Sequence, residues 1–230
     1  MKATVTPRVK ICCISSVEEA TLAVECGAAA LGLVSHMPSG PGVIGDQQIA
    51  QIAAAVPPPI GTFLLTSRQS VSEIIAQHRF CRTNCIQICD HLTGGTHHEL
   101  KDALPGISII QVIHVVGPQS VDEARALATH VDAILLDSGN QKLATKELGG
   151  TGRTHDWTLS RTIRESIDIP IFLAGGLTPE NVAQAIQEVG PFGLDLCSGV
   201  RTNGKLDETK LWHFFAAVRS AASSQTPVLV

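Results

Sequence analysis

The chain contains no tyrosine, and aromatic residues fill only 3% of its 230 positions. Single-stranded nucleic acid is held on stacked rings beside a basic groove. Here the rings are scarce and the groove is missing: 17 basic residues against 21 acidic ones leave a formal charge of −4, with no basic block. Both shortages argue against a nucleic-acid partner. No apolar run approaches the roughly 20 residues of a membrane span, and residues 1–10 hold no apolar leader segment. A soluble, cytoplasmic protein with no membrane partner is expected. The seven cysteines are odd in number and scattered, which reads as reduced thiols and not as a disulfide framework.

What is present is a repeat of short apolar strand, turn and amphipathic helix. Strands are predicted over 9–13, 29–34, 60–65, 85–89, 108–115, 132–136, 170–174 and 193–197. Helices follow over 16–26, 46–56, 70–79, a short stretch ending near 104, 120–129, 158–165, 179–188 and 207–220, with a frayed tail over 225–230. Ser16 is placed as an N-cap with Glu18 and Glu19 in the first turn, Gly27 as a terminator, and Pro179 at the first position of the seventh helix. Eight β/α units in sequence imply a parallel sheet closed into a (β/α)₈ TIM barrel. No linker divides the chain, so one domain over 1–230 is expected. In such barrels chemistry sits at the C-terminal ends of the strands, although the fold itself specifies no reaction.

Three glycine turns fall at consecutive strand ends: Gly149, Gly150, Thr151 and Gly152 after the sixth, Gly175 and Gly176 after the seventh, Ser198 and Gly199 after the eighth. Glycine lets backbone N–H groups approach an anion closely, and the last strand ends are the usual barrel phosphate site. A phosphate cradle is predicted. Each turn read alone is equally a tight turn and nothing more.

Lys10 and Cys12 share one strand face, with Ile11 and Cys13 on the other. If that face is interior, an ammonium lies one step below a thiol and favours the thiolate; the alternative is an inert buried cysteine. Asp137 caps the inward row of Ala133 and Leu135. Burial raises a carboxyl pKa toward that of a general acid; the alternative is a cap for the turn of Ser138, Gly139 and Asn140.

With these residues in view, the chain resembles the phosphoribosylanthranilate isomerase family of the tryptophan pathway. The resemblance rests on Lys10-Ile11-Cys12, Leu135-Leu136-Asp137-Ser138, Gly149-Gly150-Thr151-Gly152 with Asp156-Trp157, Ala174-Gly175-Gly176-Leu177 with Pro179-Glu180-Asn181-Val182, and Asp195 with Ser198-Gly199-Val200. It implies an Amadori rearrangement of an N-linked aminoaldose phosphate to an aminoketose phosphate, without cofactor or metal, by a monomer or homodimer. It assigns Cys12 as general base and Asp137 as general acid.

The departures cluster away from the phosphate. The family's Arg after strand two, which would face the anthranilate carboxylate, is replaced near Gly42. The His after strand four is missing, since the chain reads Gln87-Ile88-Cys89-Asp90. His114 stands where an Arg is common, and Cys13 where the family has Gly. His36, His91 and His114 are alternative carboxylate donors, and Lys10, Gln87, His114 and Asp195 are further candidate contacts to the small-molecule phosphosugar. Gln87 reads equally as a core hydrogen-bonding residue. Arg201 lies near the phosphate loop, and Arg153 is either a phosphate contact or a loop charge. Cys81, Cys85 and Cys89 invite a metal reading, but Cys85 and Cys89, if on one strand, have Cα atoms about 13 Å apart, too far for one ion. A lyase or epimerase on another phosphosugar, or a phosphometabolite-binding barrel without catalysis, are the competing readings. An epimerase of this kind calls for a metal or two inward carboxylates.

Overall fold

A computed structural model describes residues 6–139, 145–149 and 152–223. The elements alternate throughout: β1 (Arg8–Ile11), α1 (Val17–Cys26), β2 (Ala30–Val34), α2 (Asp46–Ala55), β3 (Gly61–Thr66), α3 (Val71–Cys81), β4 (Cys85–Ile88), α4 (His97–Ala103), β5 (Ser108–His114), α5 (Gln119–Leu127), β6 (Ala133–Asp137), α6 (Trp157–Ser166), β7 (Ile171–Leu173), α7 (Val182–Val189) and β8 (Gly193–Leu196). A short 3₁₀ turn, Ser198–Val200, and a hairpin of β9 (Arg201–Thr202) and β10 (Lys205–Leu206) lead into α8 (Glu208–Ser223). Strands β1 to β8 pair in parallel and in order, and β8 closes on β1 with Lys10 opposite Asp195 and Ile11 opposite Leu196. The predicted (β/α)₈ barrel is therefore the fold observed.

Strand alternation sorts the apolar residues into two cores. Ile11, Leu31, Leu64, Ile86, Ile134 and Leu194 point outward and pack under the helices, with Ile49, Ile74, Ile163 and Phe214 among the residues covering them. Phe63, Leu65, Ile110, Val112, Leu135 and Phe172 fill the barrel interior. The rings of Phe63 and Phe172 meet edge to face at 5.8 Å, a favoured aromatic geometry.

The helix ends obey local rules. The Ser16 hydroxyl accepts from Glu19 N, and Gly27 closes α1 at φ +112°. Asp156 caps α6 through Thr158 N. Two expectations shift. Helix α7 begins at Val182, three residues later than predicted, because Asn181 Oδ1 accepts from Thr178 N and its Nδ2 donates to the Gly176 carbonyl, holding Pro179 in a turn. Strand β1 ends at Ile11, and Cys13 leaves the extended region at φ +62°. Its side chain thus joins the interior cluster with Cys12 and does not point outward with Ile11. Residues 150, 151 and 225–230, named in the sequence reading, lie outside the described residues.

Candidate active site

A cavity opens at the C-terminal ends of the strands. Cys12 from the end of β1 and Asp137 from the end of β6, three strands away around the barrel, both line it. Gln87, Asp195, Gly152, Gly175, Gly176 and Ser198 line it too. Most of the predicted site therefore meets in one place. The exceptions are Lys10, His114 and Gly199, which support the cavity wall without lining it, and Gly150 and Thr151, which lie outside the described residues.

Beneath Cys12 the barrel holds a charge. Lys10 is 0% exposed, and its Nζ donates to Asp195 Oδ1 at 2.8 Å. Burial alone would push the ammonium toward neutrality, but the Asp195 carboxylate outweighs it and holds Lys10 above its ordinary value. Gly32 on β2 makes room: a β-carbon there would stand 2.8 Å from Cys12 Sγ and 2.9 Å from Lys10 Nζ. Only a glycine lets ammonium and thiol lie side by side against β2. The sequence reading missed this residue, although its place between Ala30 and Val34 on the inward face was readable from alternation.

Asp137 is 7% exposed. Desolvation raises its pKa, opposed by a hydrogen bond from Ser138 N at 2.7 Å and by the charge of His114 if that ring is protonated. His114 is itself pushed down by burial. Its Nε2 donates to the Cys89 carbonyl at 3.3 Å, and Gly139 packs against its Nδ1. A ring whose pKa is lowered by burial therefore flanks a carboxyl whose pKa is raised by burial. Gly149 closes over the pair: a β-carbon would stand 2.7 Å from Asp137 Oδ2.

The glycine turns interlock. A β-carbon on Gly176 would lie 2.8 Å from Thr154 N and 3.0 Å from the Gly152 carbonyl, and one on Gly175 would lie 3.0 Å from the Arg153 carbonyl. Gly199 is pressed against the Leu177 carbonyl, and Gly152 lies beside Ser198 Oγ. The loops after β6, β7 and β8 thus form one surface. Arg153 pairs with Glu147. Arg201 turns away from this surface to pair with Glu19 at 2.9 Å and to donate to the Cys13 carbonyl.

On the other side of the cavity Val34, Met37, Pro41, Leu65 and Leu148 form an apolar slot. His36 and His91 are exposed beyond it. Lys146, which the sequence reading also missed, lies next to the lining residue Ser39. Its Nζ donates to buried Asp90 at 2.6 Å, and its carbonyl accepts from Ser39 Oγ at 2.7 Å. Cys81 packs outside the barrel while Cys89 lies inside it, and no group of three His, Cys, Asp or Glu side chains among the described residues has metal-site geometry.

Residues 9–217 match the family model described as N-(5′-phosphoribosyl)anthranilate (PRA) isomerase. The chain belongs to the phosphoribosylanthranilate isomerase family. Relatives include N-(5′-phosphoribosyl)anthranilate isomerase 2 of Methanosarcina mazei, 37% identical over 209 residues that span 90% of this chain and 92% of the relative. The isomerase of Haloarcula marismortui is 35% identical over 86% of this chain and 88% of its own length. The crystal structure of the Thermotoga maritima isomerase superposes with a TM-score of 0.77 at 29% identity, covering 93% of this chain and 99% of that one. Another isomerase structure, in complex with reduced 1-(o-carboxyphenylamino)-1-deoxyribulose 5-phosphate, gives 0.74 at 28% identity, over 93% and 99%. In the turn after β1, Cys13 holds φ +62°, a conformation that suits glycine sterically.

Proposed function

We propose that this chain isomerises N-(5-phosphoribosyl)anthranilate to the corresponding aminoketose phosphate, the Amadori step of tryptophan biosynthesis. The observation that carries the reading is the placement of Cys12 and Asp137 across one cavity whose remaining wall is the interlocked glycine turns. The phosphate docks on the backbone N–H groups of Gly152, Gly175, Gly176 and Ser198, with Gly150 and Thr151 of the same turn and Gly199 behind it. So anchored, the sugar spans the cavity and its C2′ lies between acid and base, which is the orientational part of catalysis.

Asp137, whose pKa is raised by burial, donates its proton to the furanose ring oxygen. The ring opens to a Schiff base. Cys12 then removes the C2′ proton, giving an enolamine that tautomerises to the ketone. Gln87 Oε1 is buried with no partner among the described residues and accepts from a sugar hydroxyl. Asp195 is neutralised by Lys10 and serves as an acceptor at the cavity floor; this pairing disfavours an epimerase, which would use two free inward carboxylates. The apolar slot takes the aromatic ring, and Lys146 takes over the carboxylate contact that the family's Arg makes.

The test is turnover of purified protein on N-(5-phosphoribosyl)anthranilate. Wild type is expected to convert it, Cys12→Ala to lose about 10²- to 10⁴-fold, and Lys146→Met to raise KM with little effect on kcat. No turnover by wild type would point to another phosphosugar. A Cys12→Ala variant as fast as wild type would remove Cys12 from the mechanism.

A further inference from the structure

The loop from β2 to α2 forms one wall of the cavity. Met37, Ser39, Gly40 and Pro41 all line it, and Met37 and Pro41 shape the apolar slot. The loop returns to the barrel where Ile44 N donates to the Val34 carbonyl at 2.9 Å, just before α2 begins. Its tip is tied on two sides. Toward β6, the Ser39 hydroxyl donates to the Lys146 carbonyl. Toward β1, the tie is Cys13.

Cys13 is buried, and its thiol donates to the Pro41 carbonyl at 3.6 Å, a weak hydrogen bond of the kind an S–H makes. Gly42 rests on the same side chain. A β-carbon on Gly42 would stand 2.4 Å from Cys13 Cβ and 3.0 Å from its Sγ, so a larger residue cannot fit there while Cys13 holds its place. Cys13 is itself held from behind, because its carbonyl accepts from Arg201, which is paired with Glu19. A side chain fixed on one side and packed against the loop on the other sets where the loop lies.

We propose that Cys13 is a positioning residue that holds the Pro41–Gly42 segment against the turn after β1, closes the slot around a flat aromatic ring, and so sets selectivity for the non-phosphate half of the substrate. This rests on the isomerase reading and gives the ring a determinant separate from Cys12 and the glycine turns. Without the Cys13 side chain a gap opens under Gly42 and the Pro41 carbonyl loses its donor. The ligand must then order the loop as it binds, which weakens affinity. The sugar, anchored through its phosphate, still reaches Cys12 and Asp137.

Two measurements test this. The first needs no substrate: Tm of wild type, Cys13→Gly, Gly42→Ala and the double variant. Gly42→Ala drives a methyl group into Cys13 and should lower Tm. Its strain at φ +78° is common to both backgrounds and cancels in the cycle. In the Cys13→Gly background the fall should be less than half as large, and equal falls would overturn the contact. The second is calorimetric binding of reduced 1-(o-carboxyphenylamino)-1-deoxyribulose 5-phosphate, with inorganic phosphate as the control. Cys13→Gly, which suits the positive φ and folds, should bind the aromatic compound about tenfold more weakly and phosphate as wild type does. Cys13→Ser keeps a small side chain with a donor and should restore most of that affinity. On N-(5-phosphoribosyl)anthranilate the loss should fall on KM and not on kcat.

Cys13→Gly binding the aromatic compound as tightly as wild type, or losing phosphate to the same degree, would overturn the positioning role; so would Cys13→Ser as weak as Cys13→Gly. A different failure belongs to the isomerase reading: wild type that binds phosphate but neither binds the aromatic compound nor turns over the substrate. That result would overturn the ring selectivity as well, whatever the Tm cycle shows.

Discussion

Taking a carboxyl group out of water favours its protonated form, and at Asp137 this bears on stability as well as chemistry. The folded-state pKa is raised above the unfolded value, so the folded protein holds this proton more tightly than the unfolded chain. Stability contributed by Asp137 is therefore fully present below the unfolded value near pH 4 and declines as pH rises through the folded pKa. An amide at this position has no charge to desolvate. Asp137→Asn is expected to lower turnover about 10²- to 10⁴-fold and to raise Tm at pH 7 relative to wild type, with the gain vanishing near pH 4. Turnover and melting at the two pH values check both halves. A lower Tm at pH 7 would mean that the Ser138 hydrogen bond makes the carboxylate a net stabiliser. The placement of Asp137 was visible in the sequence, since alternation put it on the inward row; that His114 and Gly149 enclose it was not, because those contacts depend on how strand ends and loops pack.

At the scale of elements, the turn from β1 to α1 carries Cys12 and Cys13 and is fastened from the far end of the chain. Arg201 on β9 donates to both carboxylate oxygens of Glu19, at 2.9 and 3.1 Å. Glu19 also accepts from Ser15 N at 2.9 Å and Leu206 N at 3.0 Å. Burial would raise the Glu19 pKa, but Arg201 and these amides prevail and hold it down to about 2. The pair thus contributes stability that is present above the unfolded value of about 4.3 and lost as pH falls through about 2. Arg201→Met leaves a part-buried carboxylate with only its amide and hydroxyl donors and is expected to cost about 1.5–3 kcal/mol. Glu19→Gln should flatten the acid limb of the stability curve between about pH 4 and pH 2. Denaturant titrations across that range check both, and a cost under about 1 kcal/mol for Arg201→Met would show the clamp to be dispensable. The sequence suggested Arg201 for its closeness to the phosphate loop. Its true partner is 182 residues away, and no local rule reaches that far. Local rules did place the caps at Ser16, Gly27 and Asp156, where the deciding contacts are within a few residues. They failed at the start of α7, where Asn181 draws Thr178 and Pro179 into a turn, and at Cys13, where a single left-handed residue reversed the alternation.

For the whole molecule, eight repeats of one strand–helix pattern were enough to predict closure, since each strand needs covering on both faces and the last must pair with the first. The position of the site followed from closure, because strand ends gathered on one rim bring the three glycine turns together. What the pattern does not convey is how tightly they press. Gly199 against the Leu177 carbonyl and Gly176 against residues 152–154 join the loops of three separate β/α units into one surface. A ligand on that surface stabilises the entire barrel by mass action, by about 2.7 kcal/mol at a hundred times its Kd, or about 5–10 °C for a domain of this size. Inorganic phosphate is the simplest probe. Tm should rise with phosphate concentration and much less with chloride at equal ionic strength. Gly199→Ala sets a methyl group against the Leu177 carbonyl and pushes the β8 loop from the β7 loop, so the phosphate-dependent increment should shrink even after allowance for a lower starting Tm. The increment is the decisive quantity, because a variant that is only less stable keeps it whole. A Tm insensitive to phosphate in the wild-type protein would show that the three turns are packing devices and that the substrate is held by other groups.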